Sequence, residues 1–208
     1  NDGKAQVGIN LKQMLANQKI AAKENAEVFG CEKLHTFVSQ RTPEGDLLIM
    51  RAHTEARDAM KAICPHLKIG LSLSLHDMQP LRFGKRHAEK AWYAEFGHYL
   101  PYIKDDDFLG VQNYTRSRFG FFGQIDLPKD AELTQMSYEF YPEALANVIR
   151  TVHKEFKGEI IVTENGIATS DDSRRVEFIR RALEGVRGCM DDGIPVKGYC
   201  HWSLLDNF

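Results

Sequence analysis

Glu164 is the acidic residue whose surroundings in the sequence point most clearly to chemistry. It follows the run Ile160-Ile161-Val162-Thr163 and precedes Asn165-Gly166, a pattern that predicts a buried strand ending in a turn. The C-terminal ends of parallel strands are where α/β barrels carry their catalytic residues, and a carboxylate held there can act as nucleophile, acid or base. The simpler interpretation is that Glu164 begins a surface loop, since loop residues are commonly polar.

Polar and aromatic residues also follow the other three predicted strands. If the four strands are parallel, their C-terminal ends lie on one side of the sheet, and these side chains surround Glu164. Amides and phenols hydrogen-bond hydroxyl groups, and indole rings stack on sugars, so the mixture favours a neutral polyhydroxylated substrate over a phosphate. Taken singly, the tyrosine and the tryptophan are more often core residues and the histidines more often structural. The residues are His76, Asp77, Gln112, Asn113, Tyr114, Asn165, His201 and Trp202.

Strand-like and helix-like segments alternate along most of the chain. Such alternation indicates βαβ units and a parallel sheet, so the predicted fold class is α/β, with the sheet either open or part of a barrel. Residues 1–45 predict a helix and no convincing strand, so the chain is expected to begin on a helix. The predicted strands cover 67–75, 108–114, 159–163 and 196–202, and the predicted helices cover 48–63, 145–156 and 176–190.

Composition argues against several classes of protein. The 208 residues are 43% hydrophobic and 27% charged, which is typical of one globular domain over 1–208. The net charge of −2 argues against a nucleic-acid-binding protein, and the sequence shows neither a membrane-spanning apolar run nor a signal-peptide pattern. The four isolated cysteines are interpreted as reduced thiols of a cytoplasmic protein. They are Cys31, Cys64, Cys189 and Cys200.

Common cofactor and metal motifs are missing from the sequence. Neither GxGxxG nor GxxxxGK[ST] occurs, so a phosphate-binding loop is not predicted, and the absence of GxSxG removes support for a serine hydrolase. The eight histidines do not have the spacing of a zinc site, and Asp105-Asp106-Asp107 is interpreted as a solvated loop. We therefore expect neither a metal nor an organic cofactor.

Three motifs resemble glycoside hydrolase family 1, the family of β-glucosidases and β-galactosidases. Thr163-Glu164-Asn165-Gly166 is similar to the family's TENG motif, and 202–208 (WSLLDNF) is similar to the segment after its last strand. The segment 108–115 (FLGVQNYT) is similar to the family's FLGxNYYT strand. The three motifs occur in the family's order, and the similarity extends from around Arg51 to Phe208, with residues 1–45 forming a weakly similar helical lead-in.

The resemblance implies a (β/α)8 barrel and the hydrolysis of β-linked glycosides with retention of configuration. Glu164 matches the family's nucleophile, Tyr114 the tyrosine that orients it, and Trp202 the tryptophan that lines the sugar site. Gln112 and Asn113 stand where the family has asparagine and tyrosine, so either residue could supply an amide contact to a sugar. The implied ligand is a β-glycoside or an oligosaccharide.

The chain resembles only the second half of the family's barrel, roughly from the fourth helix to the eighth strand. The family's Asn-Glu-Pro motif, which carries the acid/base glutamate, does not occur. Two functions therefore stay open: a retaining β-glycosidase whose acid/base lies outside this chain, and a non-catalytic half barrel that binds sugars or self-associates. The expected partners are the other half of the barrel or further copies of the chain, and neither a nucleic acid nor a membrane is expected.

Overall fold

The computed structural model describes residues 11–34 and 42–205, and strands and helices alternate over most of this length. The helices are α1 (Leu11–Phe29), α2 (Pro43–Ile63), α3 (Lys85–Glu95), α4 (Leu100–Ile103), α5 (Ala144–Glu155) and α6 (Asp172–Asp191). The strands are β1 (Gly70–Ser74), β2 (Asp77–Pro80), β3 (Phe108–Gln112), β4 (Arg116–Gly120), β5 (Gly123–Gln124), β6 (Glu159–Asn165) and β7 (Val196–His201).

Four parallel strands form the main sheet in the order β1, β3, β6, β7. Each strand predicted from the sequence overlaps one of them, although β6 extends two residues beyond the predicted 159–163, and the three predicted helices correspond to α2, α5 and α6. Helix α5 connects β3 to β6 and helix α6 connects β6 to β7, so both connections are βαβ units with neighbouring strands. The α/β prediction is confirmed. Because the four strands are parallel, their C-terminal ends all lie at one edge of the sheet.

Apolar side chains on the helix-facing side of the sheet form the core. Because side chains alternate along a strand, Leu109 and Val111 of β3 point to this side, as do Ile160 and Val162 of β6. All four are fully buried, and each contributes roughly 1.5–3 kcal/mol of transfer free energy to the folded state. Their partners in the cluster include Phe96, Ile103, Leu145, Val148, Ile149, Val152 and Phe156.

The opposite, inner side of the sheet is polar. Ser72 Oγ and Thr163 Oγ1 lie 2.6 Å apart, and Gln112 Nε2 donates to Ser72 Oγ at 3.3 Å. Gly110 fits between the two hydroxyl residues because it has no side chain: a Cβ there would lie 2.8 Å from Ser72 Cβ. Ser72 is exposed, so the described chain leaves this side of the sheet open to solvent.

A second, smaller sheet of β2, β4 and β5 continues from the C-terminal ends of β1 and β3. Strand β2 pairs parallel with β4, and β4 pairs antiparallel with β5. The sequence pattern does not predict this sheet, because β2 ends in Pro80 and β4 (RSRFG) carries a single buried apolar side chain, Phe119. Helices α3 and α4, which precede β3, are likewise absent from the sequence-based prediction.

The N-terminal lead-in is described in part. Helix α1 lies within residues 1–45, for which the sequence predicts a helix, whereas residues 1–10 and 35–41 lie outside the described part of the chain. Helix α2 begins with an N-cap in which Thr42 Oγ1 accepts a hydrogen bond from Gly45 N at 3.1 Å. Within the described ranges, every helix is too short or too polar to cross a lipid bilayer.

Candidate active site

Glu164 and Tyr114 meet at the C-terminal ends of two neighbouring parallel strands. Tyr114 Oη donates a hydrogen bond to Glu164 Oε2, and the backbone N–H of Asn113 donates to the Glu164 carbonyl oxygen at 3.1 Å. One contact fixes the carboxylate and the other fixes the backbone that carries it. The side chains predicted to be the nucleophile and its orienting tyrosine are therefore brought together, although 50 residues of sequence separate them.

A register shift in β6 directs the Glu164 side chain toward this contact. Val111 pairs with Val162, but the next pair is Gln112 with Glu164, so Thr163 is the extra residue of a β-bulge. In a regular strand, Glu164 would share the helix-facing side of Val162, because alternate residues point the same way. The bulge breaks this alternation and frees the carboxylate from the apolar core.

Tyr114 is electrostatically suited to remain a hydrogen-bond donor. Burial of the ring, together with the hydrogen bond to Glu164 and its charge, raises the pKa of the Tyr114 phenol far above its usual range. The phenol therefore stays protonated at every pH at which the protein is expected to work. A donor that cannot ionise next to a carboxylate holds one oxygen of that carboxylate in place.

Trp202 follows β7 at the same edge of the sheet, and the residue is 45% exposed. Gly166 allows the Trp202 backbone to approach β6, since a Cβ at position 166 would lie 2.1 Å from the Trp202 carbonyl oxygen. Its indole offers a flat apolar surface to a cleft that Tyr114 also lines. Of the WSLLDNF segment, residues 202–205 are described and 206–208 lie outside the described part of the chain.

A cleft of about 1050 Å³ opens beside these residues. Its volume is close to the upper end of the range that holds small-molecule ligands, and its wall is rich in hydroxyl groups and carries one side-chain amide, that of Gln135. Tyr114 and Trp202 form part of the wall. Glu164 does not line the cleft, but its carboxylate accepts the hydrogen bond of the Tyr114 phenol, which does. The other polar residues of the wall are Thr134, Gln135, Tyr138, Thr169, Ser170, Asp172, Arg175, His201 and Ser203.

Gln112 and Asn113, the other two predicted substrate contacts, occupy different positions. Gln112 is partly buried on the inner side of the sheet, where its amide donates to Ser72. Asn113 is only 1% exposed, and its Nδ2 donates to the carbonyl oxygens of Leu75 at 2.8 Å and Thr115 at 3.0 Å. The structure thus places Asn113 beneath the site, where it supports the backbone around Tyr114 rather than the cleft.

Arg116 and Glu139 form an ion pair close to Tyr114 that sequence reasoning missed. Arg116 Nε donates to Glu139 Oε2 at 2.8 Å and Arg116 Nη2 donates to Oε1 at 2.7 Å, while the guanidinium lies 3.7 Å from the centre of the Tyr141 ring. Thr115 Oγ1 donates to the Glu139 carbonyl oxygen at 2.9 Å. These contacts anchor the two residues after Tyr114, but no regular spacing in the sequence links positions 116 and 139.

We expect the substitution Arg116→Gln to destabilise the protein in a pH-dependent way. The hydrogen bond from Arg116 lowers the pKa of Glu139 despite its burial, so the pair stabilises the fold above the unfolded-state pKa and loses this effect as pH falls. At neutral pH the free energy of unfolding should fall by about 3 kcal/mol, because one partner of a largely buried pair is left alone. Below about pH 4 the difference should shrink.

Urea unfolding of the wild-type protein and of Arg116→Gln, at neutral pH and below about pH 4, measures this difference in the free energy of unfolding. Arg180→Gln is the matched control, because Arg180 forms its ion pairs with Glu177 and Glu184 on the exposed surface of α6. Its effect should stay within about 0.5 kcal/mol. An equal loss of stability for Arg116→Gln at both pH values would contradict an electrostatic role for the pair.

The second part of the chain is similar in sequence to a known family. Residues 123–208 match the profile of Glycosyl hydrolase family 1. Curated relatives include the β-galactosidase of Pyrococcus woesei, 33% identical over 52% of this chain and 26% of the relative. β-Glucosidase A of Thermotoga maritima is 32% identical over 53% of this chain and 30% of the relative, so both matches span less than a third of the relative's length.

Structural comparison extends the similarity to nearly the whole chain. The apo structure of a β-glucosidase superimposes with a TM-score of 0.79 and 35% identity, covering 97% of this chain and 50% of that protein. The crystal structure of a β-glycosidase gives a TM-score of 0.78 and 33% identity, covering 90% of this chain and 48% of that protein. The chain thus spans about half of each barrel, which confirms the predicted partial barrel.

Proposed function

We propose that this chain carries the nucleophile of a retaining β-glycosidase. Its residues 123–208 match glycosyl hydrolase family 1, and its fold is part of that family's barrel. The observation that carries the proposal is the Tyr114–Glu164 hydrogen bond at the C-terminal ends of adjacent parallel strands. The exposed indole of Trp202 and the hydroxyl-rich wall of the neighbouring cleft support a sugar as the ligand.

In this proposal Glu164 reacts with the anomeric carbon of a β-glycoside. A carboxylate oxygen forms the new bond as the bond to the aglycone oxygen breaks, and the departing oxygen keeps the electron pair and takes a proton from a general acid. Water, deprotonated by the same group, then attacks the anomeric carbon of the ester and releases the Glu164 carboxylate. Two inversions leave the sugar in its original β configuration.

The general acid is proposed to lie outside this chain, about 5–5.5 Å from Glu164 in the complete site. In the described part of the main sheet, β1 and β7 each pair with a strand on one side only. Unpaired edges of this kind accept further strands, so the other half of the barrel would join at β1 and β7 and cover the polar inner side. The substrate class is a β-glucoside or a β-galactoside, in keeping with the names of the curated relatives.

A cytoplasmic location is part of the same proposal. All four cysteines are free, which agrees with reduced thiols. The second candidate function, a non-catalytic half barrel that binds sugars or self-associates, is favoured by the two unpaired strand edges. Sedimentation tests self-association: a dimer that also leaves dinitrophenyl glycosides intact would favour the second function over the first.

The configuration of the product tests the retaining mechanism. Dinitrophenyl β-glucoside needs no general acid because dinitrophenolate is a good leaving group, and azide needs no general base to attack the glycosyl-enzyme. We therefore expect the chain to convert these two reactants to β-glucosyl azide, which does not mutarotate and is identified by its proton NMR coupling constant. The α anomer, or no azide product at all, would contradict the proposal.

A further inference from the structure

Asn165 occupies a fully buried position where three strand ends meet. Its side-chain Nδ2 donates to the Asn113 carbonyl oxygen at 2.7 Å, and its Oδ1 accepts a hydrogen bond from Tyr199 Oη at 2.9 Å. Its backbone carbonyl oxygen accepts a hydrogen bond from Trp202 N at 2.8 Å. One residue of β6 is therefore bonded to the chain just after β3, to β7 itself and to the chain just after β7.

Two of these bonds, and Asn165 itself, lie at or next to a residue of the proposed site. Asn113 precedes Tyr114, Glu164 precedes Asn165 itself, and Trp202 carries the exposed indole. A shift of the Asn165 amide would therefore move the phenol, the carboxylate and the indole relative to one another. No other described contact links all three strand ends through one side chain and its own backbone.

The orientation of the amide follows from its partners. The Asn113 carbonyl oxygen can only accept a hydrogen bond, so the NH₂ group must face it, and the oxygen then faces the Tyr199 phenol. Burial raises the pKa of Tyr199 to about 12, so its phenol remains a donor to that oxygen. Tyr199 thus locks the amide in the one orientation that satisfies both partners.

We propose that Asn165 is a positioning residue, held in orientation by Tyr199, that sets Glu164, Tyr114 and Trp202 in register for the reaction. This inference rests on the proposed function for its catalytic consequence, but its structural part is independent of it. Aspartate at position 165 would put a second oxygen against the Asn113 carbonyl oxygen and leave a buried charge with the Tyr199 phenol as its donor. Phenylalanine at position 199 would remove only the hydrogen bond that fixes the orientation of the Asn165 amide.

The test compares Tyr199→Phe and Asn165→Asp with a control, Tyr99→Phe. Tyr99 is also buried and also donates its phenol hydrogen bond to a side chain, Asp46 Oδ1 at 3.1 Å, but it lies in the helical layer. All three substitutions are made in a Trp92→Phe background, in which Trp202 is the single tryptophan of the chain. Two quantities are measured: acrylamide quenching of Trp202 fluorescence, and the rate at which 2,4-dinitrophenyl 2-deoxy-2-fluoro-β-glucoside labels the protein.

We expect quenching of Trp202 to increase in Tyr199→Phe and Asn165→Asp and to stay unchanged in Tyr99→Phe. The labelling rate at saturating probe should fall by about 10- to 100-fold in the two site variants, since a displacement of about 1 Å has such an effect on a positioned nucleophile. The probe concentration that gives half the maximal rate should change less than the maximal rate does, because the side chains of the cleft wall other than Trp202 keep their places. A loss of stability alone would lower the melting temperature of all three variants without separating them in these two measurements.

The outcomes distinguish the positioning role of Asn165 from the proposed catalytic function. If both site variants match Tyr99→Phe in quenching and in labelling, the positioning role is wrong. If Asn165→Asp does not fold, Tyr199→Phe decides alone, because it removes a single hydrogen bond. If the Trp92→Phe reference is not labelled while quenching still separates the variants, the proposed function is wrong and the structural role of Asn165 stands.

Discussion

Replacing Glu164 with glutamine is expected to lower the turnover of dinitrophenyl β-glucoside by about 10⁴- to 10⁶-fold, the loss found when a nucleophile or its orienting partner is removed from other covalent-catalysis enzymes. Glutamine keeps the size of the side chain and its contact with Tyr114, but it cannot form the glycosyl ester. Release of dinitrophenolate, followed by absorbance, measures the effect. Because the leaving group needs no acid, and azide in the assay needs no general base to release the sugar, the result depends on the nucleophile alone.

Two further variants sharpen this result. Glu159→Gln is the matched control: it lies at the other end of β6, where it pairs with Lys68 on the surface, and should retain full turnover. In Glu164→Gly, azide can enter the vacated space and displace the leaving group in one step, so the product should be α-glucosyl azide rather than the β anomer. Turnover by Glu164→Gln close to that of the Glu159→Gln control would contradict the nucleophile assignment.

Replacing Tyr114 with phenylalanine should have the second-largest effect. The substitution removes the hydrogen bond to Glu164 Oε2 and leaves the ring in place, so the carboxylate loses the group that fixes its orientation. We expect the rate of dinitrophenolate release to fall by about 10²-fold, the usual effect of removing one preorganised donor from a reacting oxygen. Tyr99→Phe, which removes a phenol hydrogen bond in the helical layer, is the control and should leave the rate unchanged.

The pH dependence provides a second check on Tyr114. Burial and the neighbouring Glu164 raise the pKa of the phenol, so Tyr114 remains protonated while ordinary tyrosines begin to ionise. The ratio of the wild-type rate to the Tyr114→Phe rate should therefore be constant from about pH 5 to about pH 9. A ratio that falls toward one within this range would mean that Tyr114 ionises there and does not act as the permanent donor to Glu164.

The sequence could predict the strands of the main sheet and the residues at their ends. Each strand is a short run rich in apolar and β-branched residues, and the parallel arrangement follows from the helices between them. This places Glu164, Tyr114 and Trp202 on one side of the sheet before any coordinates are known. The contact between Glu164 and Tyr114 is harder to predict, because it depends on the β-bulge at Thr163, which residue types alone do not reveal.

The orientation of the amides could not be predicted from the sequence. Gln112, Asn113 and Asn165 all stand at strand ends and could equally face a sugar or the protein. The structure buries Asn113 and Asn165 and gives them backbone partners, whereas Gln112 faces the inner side of the sheet. Strand alternation predicts sides only while the register is regular, and the register of β3 with β6 shifts at these residues.

The Arg116–Glu139 ion pair could not be predicted from the sequence for a different reason. Arg116 and Glu139 are brought together by the small sheet and by the loop that precedes α5, and neither has an apolar periodicity that the sequence could display. Contacts of this kind depend on the path of irregular segments. They nevertheless bear on function, because they anchor the backbone directly after Tyr114.

The chemical identity of the residue that forms a bond to the sugar is the central claim, and mass spectrometry tests it most directly. The chain is incubated with 2,4-dinitrophenyl 2-deoxy-2-fluoro-β-glucoside, whose fluorine slows hydrolysis of the ester, and is then digested with trypsin. We predict one added fluoroglucosyl group, located on Glu164 within the tryptic peptide 158–174. No added mass, or an added group on any peptide that lacks Glu164, would contradict the assignment of Glu164 as the nucleophile.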